Sequence, residues 1–148
     1  MSMTSSIRTP NPVADITASA ALLDTSAVID LPVLLEREEL PSSLGISTIT
    51  LAELAAGPAA AKDPIERSRR QDRLQRVEAT FEPIPFTAAA ARAYGRVYAA
   101  TLAQGRHPRR RFADLLIASV ACAEGLPLIT RNPDDFVGLG ELIHVLGM

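Results

Sequence analysis

Hydrophobic positions along this chain gather into short runs, and polar segments with a helical period separate them. The first run, "AALLD" at 20–24, is aliphatic up to an abrupt carboxylate, which predicts a buried strand ending at Asp24. Residues 26–38 predict a helix, in which Pro32 is awkward unless it lies near the start. A turn at 41–44 leads to "GISTITL", where β-branched Ile46, Thr48 and Ile49 predict a second strand. Thr50 then opens a helix that Gly57-Pro58 ends. Residues 63–80 form a polar, arginine-rich helical pattern. "FEPIPF" predicts a short edge segment, because Pro83 and Pro85 cannot donate to a central ladder. Residues 87–104 predict an Ala-rich helix capped by Thr87 and closed by Gly105. Residues 112–124 predict a helix buried nearly all round and stopped by Gly125. "LPLIT" is another buried strand, Asn132-Pro133 resembles a helix cap followed by proline, and "LIHVL" is a final strand. Strands alternating with helices imply an α/β domain over 20–148, with a mainly parallel sheet covered on both faces. Residues 1–19, rich in Ser, Thr, Pro and Asn, read as a flexible tail before it.

Composition narrows the picture. A chain of 148 residues with 47% hydrophobic and 22% charged positions fits one globular domain with one sizeable core. Aromatics are only 4% and Trp is absent, so that core rests on Leu, Ile, Val and Ala. The single cysteine, Cys122, cannot form an internal disulfide, which points to a reducing, cytoplasmic setting. Its apolar neighbours make it a small core residue rather than a nucleophile. Acids interrupt every apolar stretch before the ~18 residues a spanning helix needs, and no secretion signal is evident, so no membrane role is expected.

Net charge is −2, so no overall positive field draws in nucleic acid. The arginines nevertheless cluster. "ERSRRQDRLQR" (66–76) interleaves with acids and reads as a solvated helix face laced by i,i+4 pairs. In "GRHPRRRF" (105–112), Arg109, Arg110 and Arg111 stand together with no acid until Asp114. That arrangement suits phosphate.

The acids carry the chemistry. Asp24 ends the first strand, where open α/β sheets place their ligands, although Asp-Thr-Ser also suits a helix cap. Glu53 is expected in the first turn of the helix after the second strand, either as half of a Thr50–Glu53 capping box or as a site residue. Asp114 opens the apolar helix, where a carboxylate is costly without a cation or arginine beside it. Asn132, Asp134 and Asp135 follow "LPLIT". In a parallel sheet these groups converge at one edge, and a hard cation such as Mg²⁺ relieves their repulsion. Other uses of a strand-end Asp fail. A phosphoryl-accepting receiver needs a lysine after a late strand, and the only lysine is Lys62. A dehalogenase-type phosphatase needs a second Asp where Ser26 stands. There is no Gly-rich phosphate loop, no zinc-spaced Cys/His set and no His suited to a Ser-His-Asp triad.

"LLDTSAVIDL", "ITLAELAAG" and "FADLLIASVACAEGLPLITRNPDDF", in that order and spacing, resemble the PIN-domain ribonucleases, and most of all the VapC toxins of bacterial VapBC pairs. The resemblance runs from about Ala21 to the C-terminus. It implies a PIN-like α/β/α sandwich, Mg²⁺ or Mn²⁺ dependence, and endonucleolytic cleavage of cellular RNA (tRNA, rRNA or mRNA) that inhibits translation. Asp24, Glu53 and Asp114 match the family's first three acids, and those three are the implied metal ligands. The family usually carries a fourth acid in the stretch "TRNPDDF", often where this chain has Asn132; Asp135, and after it Asp134, are the candidates to supply it. Arg109, Arg110 and Arg111 are the expected RNA contacts. The implied partners are a VapB-like antitoxin, a second copy in a homodimer, and a toxin–antitoxin hetero-oligomer. The antitoxin is expected to seat an amphipathic helix between Val33–Leu35 and the helix opened by Thr50, and to deliver an arginine to the acids. The alternative is an inactive PIN-fold module that binds RNA or protein.

Overall fold

A computed structural model describes residues 20–37 and 39–148. The tail expected at 1–19, and Glu38 at the expected end of the first helix, lie outside the described residues. Four parallel strands make the central sheet in the order β2-β1-β3-β4: β1 (Ala20–Leu23), β2 (Ser43–Gly45), β3 (Leu128–Thr130) and β4 (Val145–Gly147). Leu22 stands opposite Leu128, and Leu23 opposite Ile129. The pleat sends alternate residues to opposite faces. Leu22 and Leu128 therefore pack with Val97, Ile117 and Val120, while Leu23 and Ile129 pack with Val28, Leu34, Ile46, Leu54 and Val77. Both central strands are covered on both sides, which is why they read as unbroken apolar runs. The α/β/α sandwich with a parallel sheet is the observed architecture.

Several element boundaries differ from the sequence reading. The expected helix over 26–38 is two helices, α1 (Thr25–Ile29) and α2 (Leu31–Arg37). Pro32 has no N–H to continue the first helix. The Asp30 carbonyl instead accepts from Val33 and Leu34 N–H, at 3.0 Å each, and starts a new one. The second strand comes earlier than expected, inside the segment read as a turn, and only Gly45 of "GISTITL" belongs to it. Helix α3 (Thr48–Ala60) takes the rest, because Ser47 Oγ caps it by accepting from Thr50 N–H at 3.2 Å. A local cap overrides the β preference of Thr48 and Ile49. The capping box at Thr50 is therefore not formed, and Glu53 lies in the second turn rather than the first.

Nor does Gly57-Pro58 end α3, which runs on to Ala60. Arginines from α4 (Pro64–Thr80) serve its last carbonyls: Arg70 Nη1 donates to Gly57 O at 3.0 Å and Arg67 Nε to Pro58 O at 3.2 Å. The edge segment behaves as expected. Ile84, between its two prolines, donates to Ile46 O at 2.8 Å and accepts from Thr48 N–H at 2.9 Å.

Helix α5 (Ala88–Ala103) is capped by Thr87, and α6 (Phe112–Glu124) ends at Gly125, whose φ of +67° is the left-handed conformation glycine adopts without cost. There the Leu126 N–H returns to Ala121 O at 2.9 Å. Only the middle of α6 is buried all round, from Ile117 to Ala121. Its first turn is open, with Phe112 exposed and Asp114 half-buried. The final strand begins later than "LIHVL" suggests, since Ile143 packs into the core from the preceding loop. Among the described residues, no helix is long and apolar enough to cross a membrane.

Candidate active site

All four strands run the same way, so their carboxyl ends share one edge. The chain leaves β1 toward β2 and later returns to the other side of β1 as β3. That reversal makes a crevice between the ends of β1 and β3, where such sheets place their ligands. Asp24 stands in it, tied to β3 by its N–H bond to Ile129 O at 3.0 Å, and is only 3% exposed. Its Oδ1 accepts from Ala27 N–H at 2.9 Å and Ser26 Oγ at 2.7 Å. Asp24 is thus a helix cap through the carboxylate itself, and not only through the turn of its backbone. Both bonds fall on Oδ1; among the described residues none falls on Oδ2.

Hydroxyls order the neighbouring groups. Thr25 Oγ1 donates to Glu53 Oε1 at 2.5 Å and lies 3.1 Å from the buried Thr50 hydroxyl. Ser26 Oγ, while donating to Asp24, accepts from Arg131 N–H at 3.1 Å and lies 3.5 Å from Thr130 Oγ1. From the sequence, Thr25 and Ser26 read only as capping residues, and Thr50 and Thr130 do not stand out in this role. The available signal was a hydroxyl residue at the end of each apolar strand, in "LLDTS" and "LIT".

Asp114 senses the other acids. Its carboxyl is pushed up to about 6, first by burial, then by the charges of Asp135, Asp24 and Glu53, while Arg111 pulls it down. Asp114 therefore lies in the field of three further carboxylates. Arg111 forms an ion pair with Asp135 that joins two 3₁₀ turns, Pro108–Arg111 and Pro133–Phe136. Of the three fourth-position candidates, Asp135 is the one in this field. Asp134 is exposed and contributes its backbone carbonyl, which accepts from Arg106 Nη1 at 2.6 Å. Asn132 is exposed, and its side chain makes no capping bond. The three clustered arginines also divide. Arg110 and Arg111 line a cleft of about 450 Å³ with Asp114, Arg106 and His107; Arg109, exposed like Arg110, is not among its walls.

These groups fit a hard divalent cation. The donors are carboxylate oxygens, and Asp114's raised proton affinity reflects burial first and then repulsion by neighbouring acids, both of which a cation would offset. Among the described residues no three acids already enclose a site.

The same burial and repulsion set a stability test. Asp114 holds its proton more tightly folded than unfolded, so folding takes up a proton between about pH 4 and pH 6. Stability from this group is present below that window and lost as pH rises through about 6. In EDTA at about pH 7.5, Asp114→Asn should stabilise the protein. The gain should be about 1 kcal/mol after allowing for solvent at this half-exposed group, or ~3 °C in Tm. The gain should vanish near pH 4. Thermal melts across pH measure it, and a destabilised variant at high pH would contradict the electrostatic account.

A parallel sheet with a buried strand-end Asp at its crossover, and further acids gathered around it, defines a class. The PIN domain family model matches residues 21–142, and the chain belongs to that family. Within it the similarity is to VapC proteins. The chain is 37% identical to Ribonuclease VapC5 of Mycobacterium tuberculosis over 125 residues, 83% of this chain and 90% of that protein. Among solved structures it is similar to VapBC-5, a toxin–antitoxin family member from the same organism. That match has a TM-score of 0.71 and 34% identity, and covers 87% of this chain and 97% of that one. VapBC2 from Rickettsia felis, bound to a DNA fragment from the promoter, has a TM-score of 0.64 and 25% identity over 88% and 99% of the two chains.

Proposed function

We propose that the protein is the ribonuclease toxin of a VapBC-type pair, cutting cellular RNA with Mg²⁺, or Mn²⁺, held by Asp24, Glu53 and Asp114. The observation that carries this is Asp24: a buried carboxylate, clamped through one oxygen, whose charge reaches Asp114 together with those of Asp135 and Glu53. A metal held by these three carboxylates would supply polarisation of the phosphodiester and a lowered pKa for an attacking water. The chain's own residues do the positioning. The Ala27 N–H and Ser26 hydroxyl fix the Asp24 carboxylate, and the Thr25 hydroxyl fixes Glu53. Arg110 offers a guanidinium to a phosphate beside Asp114, while Arg111 steadies Asp135 as the fourth acid.

The similar structures are toxin–antitoxin assemblies, and this chain offers an antitoxin a place to dock. A mainly apolar cleft of about 290 Å³ is lined by Val28, Leu31, Leu35, Val77 and Phe81, with Arg73 and Arg76 also among its walls. Its walls are α1, α2 and α4; the expected wall from the helix opened by Thr50 is not part of it. An amphipathic antitoxin helix laid there, with an arginine reaching the acids, silences the nuclease in its own cell, the cytoplasm. Homodimers of the toxin and a toxin–antitoxin hetero-oligomer complete the assembly.

The direct test is RNA incubated with purified protein in Mg²⁺, in Mn²⁺ and in EDTA. Cleavage should appear with metal, stop in EDTA and return on adding Mg²⁺, and saturation with the protein encoded beside it should suppress it. RNA binding with no cleavage under any metal would favour the inactive module instead.

A further inference from the structure

The arginines at 66–76 have two fates. Arg69 and Arg70 pair with Glu66, at 3.8 Å and 2.9 Å, as a solvated helix face predicts. Arg70 and Arg73, however, line a second cleft of about 450 Å³, whose walls include Thr25 and Glu53, and Arg73 stands between it and the apolar cleft, which it also lines. Arg70 is held there by Glu66 and by Gly57 O, so it is a fixed wall. Arg73 is half-buried and, among the described residues, has neither an ion pair nor a hydrogen bond. Glu66, the other acid lining this cleft, is already engaged by the two arginines.

Each basic cleft thus shares one acid with the site: Asp114 with Arg110 and Arg111, Glu53 with Arg70 and Arg73. They belong to different parts of the fold, one on the turn before α6 and one on α4. A single strand with its reacting phosphate at the acids carries its neighbouring phosphates away in two directions. A half-buried guanidinium with no ion-pair partner among the described residues is placed to receive one of them.

We propose that Arg73, against the fixed Arg70, binds a backbone phosphate of single-stranded RNA on the Glu53 side of the site. The strand then crosses the acids between two basic clefts. This rests on the ribonuclease reading, and its test separates the two.

Binding of a labelled single-stranded oligoribonucleotide, measured in EDTA over a range of salt concentrations, reads the contact. Arg73→Gln should weaken binding roughly tenfold at low salt and lower the salt slope by about 0.7, one phosphate contact on a single strand. Arg73→Lys should restore the slope, because a phosphate needs the charge. Arg69→Gln, on the exposed side of α4, should leave both unchanged. A slope for Arg73→Gln equal to wild type, with wild-type RNA cleavage intact in Mg²⁺, overturns this inference and leaves the nuclease standing. A loss that lysine does not restore marks a packing role and also overturns it. Failure of the wild-type protein to bind or cut RNA removes the ribonuclease reading as well.

Discussion

Asp24→Asn should lower RNA cleavage by about a thousandfold, since a metal ligand's charge supplies several kcal/mol of transition-state stabilisation at ~1.4 kcal/mol per tenfold. The fold should survive. Asparagine caps helices as well as aspartate does, and its amide oxygen can still accept from Ala27 N–H and Ser26 Oγ. The substitution therefore removes charge and leaves shape. Asp24→Ala would lose the cap too, and should also cost stability, about 1 kcal/mol. Single-turnover cleavage in Mg²⁺, read beside a thermal melt, separates the two effects. Wild-type cleavage by Asp24→Asn would sink the assignment of this carboxylate.

Leu22→Ala should be the most destabilising of the simple truncations. Leu22 is fully buried in a central strand and packs against Val97, Ile117 and Leu128. Truncation of such a leucine loses its transfer free energy and leaves a cavity that rigid strands cannot close, a cost of about 3 kcal/mol. In a domain of this size that is about 10 °C in Tm. Leu35→Ala is the contrast: at 61% exposure its loss should be within about 0.5 kcal/mol, although it lines the proposed antitoxin groove. Urea midpoints would rank the two. Equal midpoints would mean that the sheet is not packed as described.

Helix interiors and strand cores were legible because their signals are local. The run at 20–24 and "LPLIT" are apolar without alternation because both faces of β1 and β3 are covered. Thr87 and Gly125 mark helix ends with their own side chain or backbone conformation. Asp24, Glu53 and Asp114 could be singled out because each follows or opens an apolar element, and a parallel sheet brings such positions to one edge. Where local signals compete, the reading slipped. β-branched residues after "GIS" suggest a strand, yet Ser47 caps a helix across them. Pro32 was recognised as awkward, but the break it enforces is placed by the Asp30 carbonyl.

What the sequence alone determined is the α/β order, the central strands and the positions where acids can meet. Tertiary structure decided which groups do meet. Asp135 enters the field of Asp114, and Asp134 does not, because two 3₁₀ turns distant in sequence dock through Arg111. Arg73 reaches the Glu53 cleft while Arg69 faces solvent, because the packing of α4 on α3 sets which side of α4 turns inward. Neither choice is written in a local period or a cap. Each depends on how rigid elements pack across many residues of intervening chain, and that geometry exists only once the sheet and its helices have assembled.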